Sequence, residues 1–156
     1  MSTGSAAFGE LEAEAVRILS GSAGRETRLQ ALCDLLRERV PHYDWVGFYL
    51  VPEDEADVLV LGPFSGAPTE HARIGFGHGV CGRAAEQKQT VVVPDVRQEG
   101  NYIACSLEVR SEIVVPLLRD GIVIGELDLD SHTPDAFGPA DQHLLERIAK
   151  GAARLF

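Results

Sequence analysis

The sequence predicts an α+β domain, a central antiparallel β-sheet with helices packed on one face. Three observations carry this prediction. Amphipathic helical stretches open and close the chain; about five or six short runs rich in branched and aromatic residues lie between them; and Asp120-Gly121 joins two of those runs, as a hairpin turn would. At 156 residues the chain suits one domain with a real core and is too short for two. A single domain over 1–156 is therefore expected, with helices in 1–40 and the sheet, a pocket and a closing helix in 43–156.

Phe8, Leu11, Ala15, Ile18 and Leu19 recur at spacings of three and four, which marks a first helix ended by Ser20-Gly21. Arg25 to Val40 is a second, with Leu29, Leu32, Cys33, Leu36 and Val40 on one stripe, and Pro41 stops it. DWVGFYLV and VLVLGPF read as strands separated by the acidic turn Glu53-Asp54-Glu55. The glycines of GFGHGVCG imply a tight or closely approached backbone, without the lysine ending of a phosphate loop. Cys81 to Gln87 reads as a short helix, TVVVPDV as a strand, and IVVPLL and IVIGELDLDS as the two arms of the central hairpin. Pro139 opens a last helix with Leu144, Leu145, Ile148 and Ala152 inward.

A net charge of -10 argues against nucleic acid and anionic membranes as partners, because both are bound through clustered Lys and Arg. No apolar run approaches a membrane span, and the N-terminus lacks the basic and apolar regions of an export signal, so a cytoplasmic location is expected. Three cysteines, Cys33, Cys81 and Cys105, show no CxxC spacing, so neither a disulfide framework nor a structural zinc site is expected. The expected metal complement is none.

The chemistry concentrates in Asn101 to Ser131. Glu126, Asp128 and Asp130 alternate with Leu127 and Leu129, so a strand sends the acids to one face and the leucines to the other. Crowding acids on one face is costly unless it is wet or binds a cation. Glu112, at the start of the preceding strand, and Cys105, in the loop before it, can reach the same space. Trp45 and Tyr49 share a strand face with Gly47 between them, leaving a shallow slot for an apolar group, although the plain alternative is that both aromatics are core. Cys81, at a helix N-terminus, sits where the helix dipole favours a thiolate. Cys33 reads as core, Glu126 as a solvated rim residue, and His71 and His78 as loop surface.

The segments DWVGFYL, LVLGPF, GVCGRA, IACSLEVRSEIVVPL and GELDLDS together resemble the free methionine-R-sulfoxide reductases, single-domain members of the GAF fold. The resemblance covers nearly the whole chain from about Trp45 onward. It implies that Cys105 is the catalytic cysteine, Glu112 the glutamate beside it, Asp128 and Asp130 the substrate-binding aspartates, and Trp45 and Tyr49 the aromatic pair. One position departs from the pattern: the family's resolving cysteine, about ten residues before GVCG, is absent here, and His71 lies near its place.

The resemblance implies reduction of free methionine sulfoxide. Cys105 thiolate attacks the sulfur while Glu112 or a neighbouring carboxyl protonates the oxygen; the resulting sulfenic acid then becomes a disulfide. The aspartates would hold the ammonium group and the aromatics the methyl end. Cys81 is the sequence candidate for resolution. Otherwise an external thiol such as glutathione or thioredoxin must act directly, and no bound cofactor is needed. By analogy with the fold a homodimer is an expectation that the N-terminal amphipathic helix could serve. Two other classes compete: a non-catalytic GAF-type small-ligand sensor, and a redox switch through Cys81 and Cys105.

Overall fold

The computed structural model describes residues 5–98 and 108–156. Helices α1 (Ser5–Leu19) and α2 (Arg25–Arg39) lead into strands β1 (Trp45–Leu50), β2 (Val58–Ser65) and β3 (Arg73–Gly75). Helix α3 (Gly79–Gln87), strand β4 (Val91–Val93) and a turn of 3-10 helix (Val96–Gln98) follow. Strands β5 (Ser111–Arg119) and β6 (Ile122–Ser131) form the central hairpin, and α4 (Pro139–Ala153) closes the chain. The strands make one six-stranded sheet in the order β3-β2-β1-β6-β5-β4, with every neighbouring pair antiparallel. The hairpin turn is as expected: Asp120 and Gly121 both have positive φ, 54° and 79°, the conformation that makes Asp-Gly a favoured tight turn.

The alternation read from the sequence sorts the sheet into two faces. On one, Val46, Phe48, Ile113, Val115, Leu117, Leu127 and Leu129 meet the apolar stripes of α1, α2 and α4 in one continuous core. Leu127 and Leu129 are fully buried, and each such side chain contributes about 1.5–3 kcal/mol by leaving water. Cys33 belongs to this core, and its thiol donates to the Pro63 carbonyl at 3.5 Å. Burial raises its pKa far above that of a free thiol, so it is chemically quiet.

The three long helices lie on one face, as predicted. Helix α3 does not join them; it packs on β5 and β6 from the other side, with Cys81, Ala84 and Ala85 facing Tyr49 and Val114 in a second cluster. Among the described residues no helix is long and apolar enough to cross a membrane.

One polar knot fixes α4 against the sheet. The Asp141 carboxylate accepts from the Tyr43 hydroxyl at 2.7 Å and the Gly138 backbone N–H at 2.9 Å, and it pairs with His42 Nε2 at 2.9 Å. Partial burial works to raise its pKa, but the bonds from His42, Tyr43 and Gly138 outweigh that effect and lower it. A carboxyl held below its unfolded value stabilises the fold above that unfolded pKa and loses the contribution as pH falls through the folded one. Asp141→Asn should therefore cost about 1–2 kcal/mol at pH 7, from the weakened cap at Gly138 and the weakened bonds with Tyr43 and His42. The gap from wild type should narrow below about pH 4, where the unfolded carboxyl takes up its proton. Urea melts of both proteins at neutral and acid pH check this; a gap that does not change with pH would show that the charge of Asp141 contributes nothing.

Candidate functional site

The site is built by cross-strand register. Residues directly opposite in an antiparallel sheet share a face. Pairing of β6 with β1 and β5 therefore creates three rows: Glu112, Asp130 and Trp45; then Val114, Asp128 and Gly47; then Pro116, Glu126 and Tyr49. The acids run down the middle strand, flanked by the aromatics on one side and Glu112 on the other. This is the face that α3 covers. It is not wet: Glu112, Asp128 and Asp130 are 1–4% exposed and Glu126 is 0% exposed.

The burial of Glu126 overturns its expected place on a solvated rim. Alternation assigns a residue to a face but does not say what covers that face, and here α3 does. Beyond the Cys81 thiol, neither Glu126 oxygen has a hydrogen-bond partner, and Asp128 Oδ1 has none. Burial, with the Asp128 charge adding to it, lifts the Glu126 carboxyl well above the usual carboxylate range, against an opposing pull from the Cys81 thiol. Burial also raises Asp128, while hydrogen bonds with Glu112 and Cys81 work the other way. The net effect raises Asp128 above the usual carboxylate range, which favours its protonated form.

Cys81 reaches this face because the glycine segment lets α3 settle on the backbone of β3. A Cβ at Gly82 would lie 2.5 Å from the Gly75 carbonyl oxygen, closer than any side chain tolerates. The Gly77 N–H donates to the Gly82 carbonyl at 2.8 Å. The helix starts at Gly79, so Cys81 does lie in its first turn. The expected stabilisation of its thiolate is nevertheless reversed. Burial first, and then the Asp128, Glu112, Glu126 and Asp130 carboxyls, push the thiol well above its ordinary value and overwhelm the helix dipole.

Trp45 and Tyr49 are 5% and 0% exposed. The slot over Gly47 is not open, as the sequence suggested, but filled: a Cβ there would fall 2.3 Å from the Trp45 ring, which lies across the glycine and stacks on Phe64 with centroids 5.6 Å apart. Both aromatics spend their polar atoms on the β2–β3 connection. Trp45 Nε1 donates to the Ala67 carbonyl at 2.9 Å, and the Tyr49 hydroxyl donates to the His71 carbonyl at 2.9 Å. His71, expected on the loop surface, is thereby drawn to half-burial and lines a tight recess of about 10 Å³, room for little more than a water-sized group, with Tyr49, His78, Cys81, Glu112 and Asp128.

Cys105 lies outside the described residues. The chain on either side of 99–107 is tied together, because the Val96 N–H donates to the Arg110 carbonyl at 2.8 Å. Val96 and Arg110 thus stand together beside the end of β5 that carries Glu112. One donor set was hidden from the sequence by its separation along the chain. Cys81, Glu112 and Asp128, from three different elements, bring ligand atoms within 4.8 Å of one another. Strand register places Glu112 and Asp128 on one face and the packing of α3 adds Cys81; motif spacing signals neither.

Residues 22–156 match the model of the GAF domain. The free methionine-R-sulfoxide reductase of Escherichia coli strain K12 is 36% identical over 141 residues, which span 90% of this chain and 83% of that protein. The chain belongs to the free methionine-R-sulfoxide reductase family of GAF domains. A free methionine-R-sulfoxide reductase of Saccharomyces cerevisiae is 44% identical over 108 residues, 69% of this chain and 59% of the yeast protein. The structure of the Neisseria meningitidis reductase in complex with its substrate superposes with a TM-score of 0.92 at 39% identity, covering 100% of this chain and 92% of that one. For the reductase fold of this chain, the indole seated on Gly47 is a sharp test. Gly47→Ala should destabilise by about 1–3 kcal/mol, the usual cost of overpacking, and change the emission of Trp45, the chain's single tryptophan. Unchanged emission and stability would mean that the ring does not rest there.

Proposed function

We propose that this chain reduces free methionine-R-sulfoxide to methionine in the recess between the acid-bearing face of β6 and helix α3. The observation that carries the proposal is the buried acidic row, whose Asp128 carboxyl is pushed up by burial, set beside the aromatic wall in a member of this family. A buried proton is what sulfoxide reduction consumes, because the oxygen leaves as part of a hydroxyl group rather than as oxide.

Cys105 is the attacking thiolate. Its sulfur bonds to the sulfoxide sulfur and Glu112 or Asp128 delivers a proton to the oxygen; the hydroxyl then passes to the Cys105 sulfur as the transient sulfur–sulfur bond breaks, so methionine departs and Cys105 is left as a sulfenic acid. The tie between Val96 and Arg110, next to Glu112, supports this placement. Asp128 and Asp130 hold the ammonium group. A peptide-linked methionine has no such group to exchange for the water it loses on entry, so a buried acidic row favours the free amino acid. Trp45 and Tyr49 bound the methyl end by apolar contact.

The free thiols among the described residues are Cys33, in the helical core, and Cys81, in the recess. Cys81 is therefore the placed candidate to attack the sulfenic sulfur, forming the disulfide and releasing water. An external dithiol such as thioredoxin then returns both sulfurs to thiols. The raised pKa of Cys81 makes it a slow nucleophile at rest, which leaves room for a small thiol to react first.

Two measurements test the assignment. Loss of free methionine-R-sulfoxide is followed with dithiothreitol as reductant. Wild type should consume it, and Cys105→Ser should lose at least about a thousandfold in rate, as expected on removal of a covalent nucleophile. No consumption by reduced wild type would remove the enzyme reading, and activity surviving in Cys105→Ser would remove only this nucleophile. Cys81→Ser should keep its dithiothreitol-driven rate and lose its thioredoxin-driven rate; equal rates with thioredoxin would show that another thiol resolves the intermediate.

A further inference from the structure

The residues given roles in sulfoxide reduction have a second chemical character, as a set of metal donors. Cys81, Glu112 and Asp128 are each buried, and each places one ligand atom within 4.8 Å of the others. Around a tetrahedral zinc ion, with bonds near 2.3 Å to sulfur and about 2.0–2.2 Å to oxygen, neighbouring ligand atoms stand about 3.5 Å apart. Small side-chain rotations would close the present set to that spacing.

A second observation points to a missing ligand. Glu126 is 0% exposed, and beyond the Cys81 thiol it lies against, neither of its oxygens has a hydrogen-bond partner. Asp128 Oδ1, at the centre of the set, is likewise unpartnered. Buried acceptors without donors are stabilised by a cation that satisfies them.

The donor types select among cations. Magnesium demands near-ideal octahedral oxygen coordination and keeps its waters, which suits neither a thiolate nor a closed recess. One thiolate with carboxylates matches a borderline ion of the zinc class, and His71 and His78, which line the same recess, offer nitrogen for a fourth position.

We infer that Cys81, Glu112 and Asp128 form a binding site for a zinc-class divalent cation, occupied in competition with the ammonium group of the free amino acid. The competition, though not the cation site itself, rests on the proposed substrate. Binding breaks the Cys81 S–H bond, forms a sulfur–metal bond and releases the proton to solvent, with no change of oxidation state. A filled site would exclude substrate and occupy the thiol proposed to resolve the intermediate.

The test is metal binding by the full chain, kept reduced with a phosphine that does not chelate. Zinc sulfate titrated against a chromophoric chelator should show one equivalent bound per chain, with magnesium unable to displace it. Cobalt(II) should give a sulfur-to-cobalt charge-transfer band. Cys81→Ala and Cys81→Ser, each checked for folding by circular dichroism, should lose that band and weaken zinc at least tenfold, whereas Cys33→Ala and Cys105→Ser should keep both. Absence of zinc binding in wild type, or binding unaltered in both Cys81 variants, overturns the site, as does loss of the band in Cys105→Ser. Free methionine-R-sulfoxide should weaken zinc binding in proportion to its concentration; zinc affinity indifferent to it overturns the competition. A chain that reduces the sulfoxide yet binds no zinc loses this inference alone, and one that binds zinc without reducing the sulfoxide loses only the enzymatic proposal.

Discussion

The site depends on β6 lying at the middle of the sheet in a fixed register. A strand whose odd and even positions are leucine and acid can be placed in only one way. A slip of one residue would push Glu126, Asp128 and Asp130 into the helical core and expose Leu127 and Leu129. The penalty for burying even one unpaired carboxylate in hydrocarbon is several kcal/mol, so the leucine face sets the register and the acid face inherits it. The same register brings Glu112 opposite Asp130, and Trp45 opposite it from the other side. Fold and site are therefore consequences of one alternation.

The two faces carry different loads. The helical side is a continuous apolar core, with the close packing that gives a domain its stability. The other side holds groups that are costly to bury, and neighbouring elements bear that cost. Helix α3 seals the acids, the glycines of its approach bring it close enough to do so, and the aromatics of β1 hold the wall opposite. Unsatisfied carboxyl oxygens under such a cover store free energy that a cationic group can release on entry.

Much of this was legible in the sequence because it is local. The helix stripes, the Asp120-Gly121 turn, and the split between Glu126, Asp128, Asp130 and their leucine neighbours follow from periodicity over a few residues. The family resemblance rested on motifs of the same range. What was not legible is tertiary. That α3 crosses to the acid side, that Glu126 is sealed, that Trp45 closes the space above Gly47, and that Cys81 is less acidic than its helix position suggests all depend on partners far along the chain. His71 belongs with them: nothing near it in sequence signals that a tyrosine hydroxyl 22 residues away will hold its carbonyl.

That hydroxyl, with the indole N–H of Trp45, has one more implication. Both grip main-chain oxygens at positions 67 and 71, and every amino acid supplies the same oxygen. The strap over the chamber is thus anchored without regard to its side chains. Its residues are at liberty to change identity while its path stays put, so the imidazole of His71 is open to exchange with no remodelling of the wall beneath.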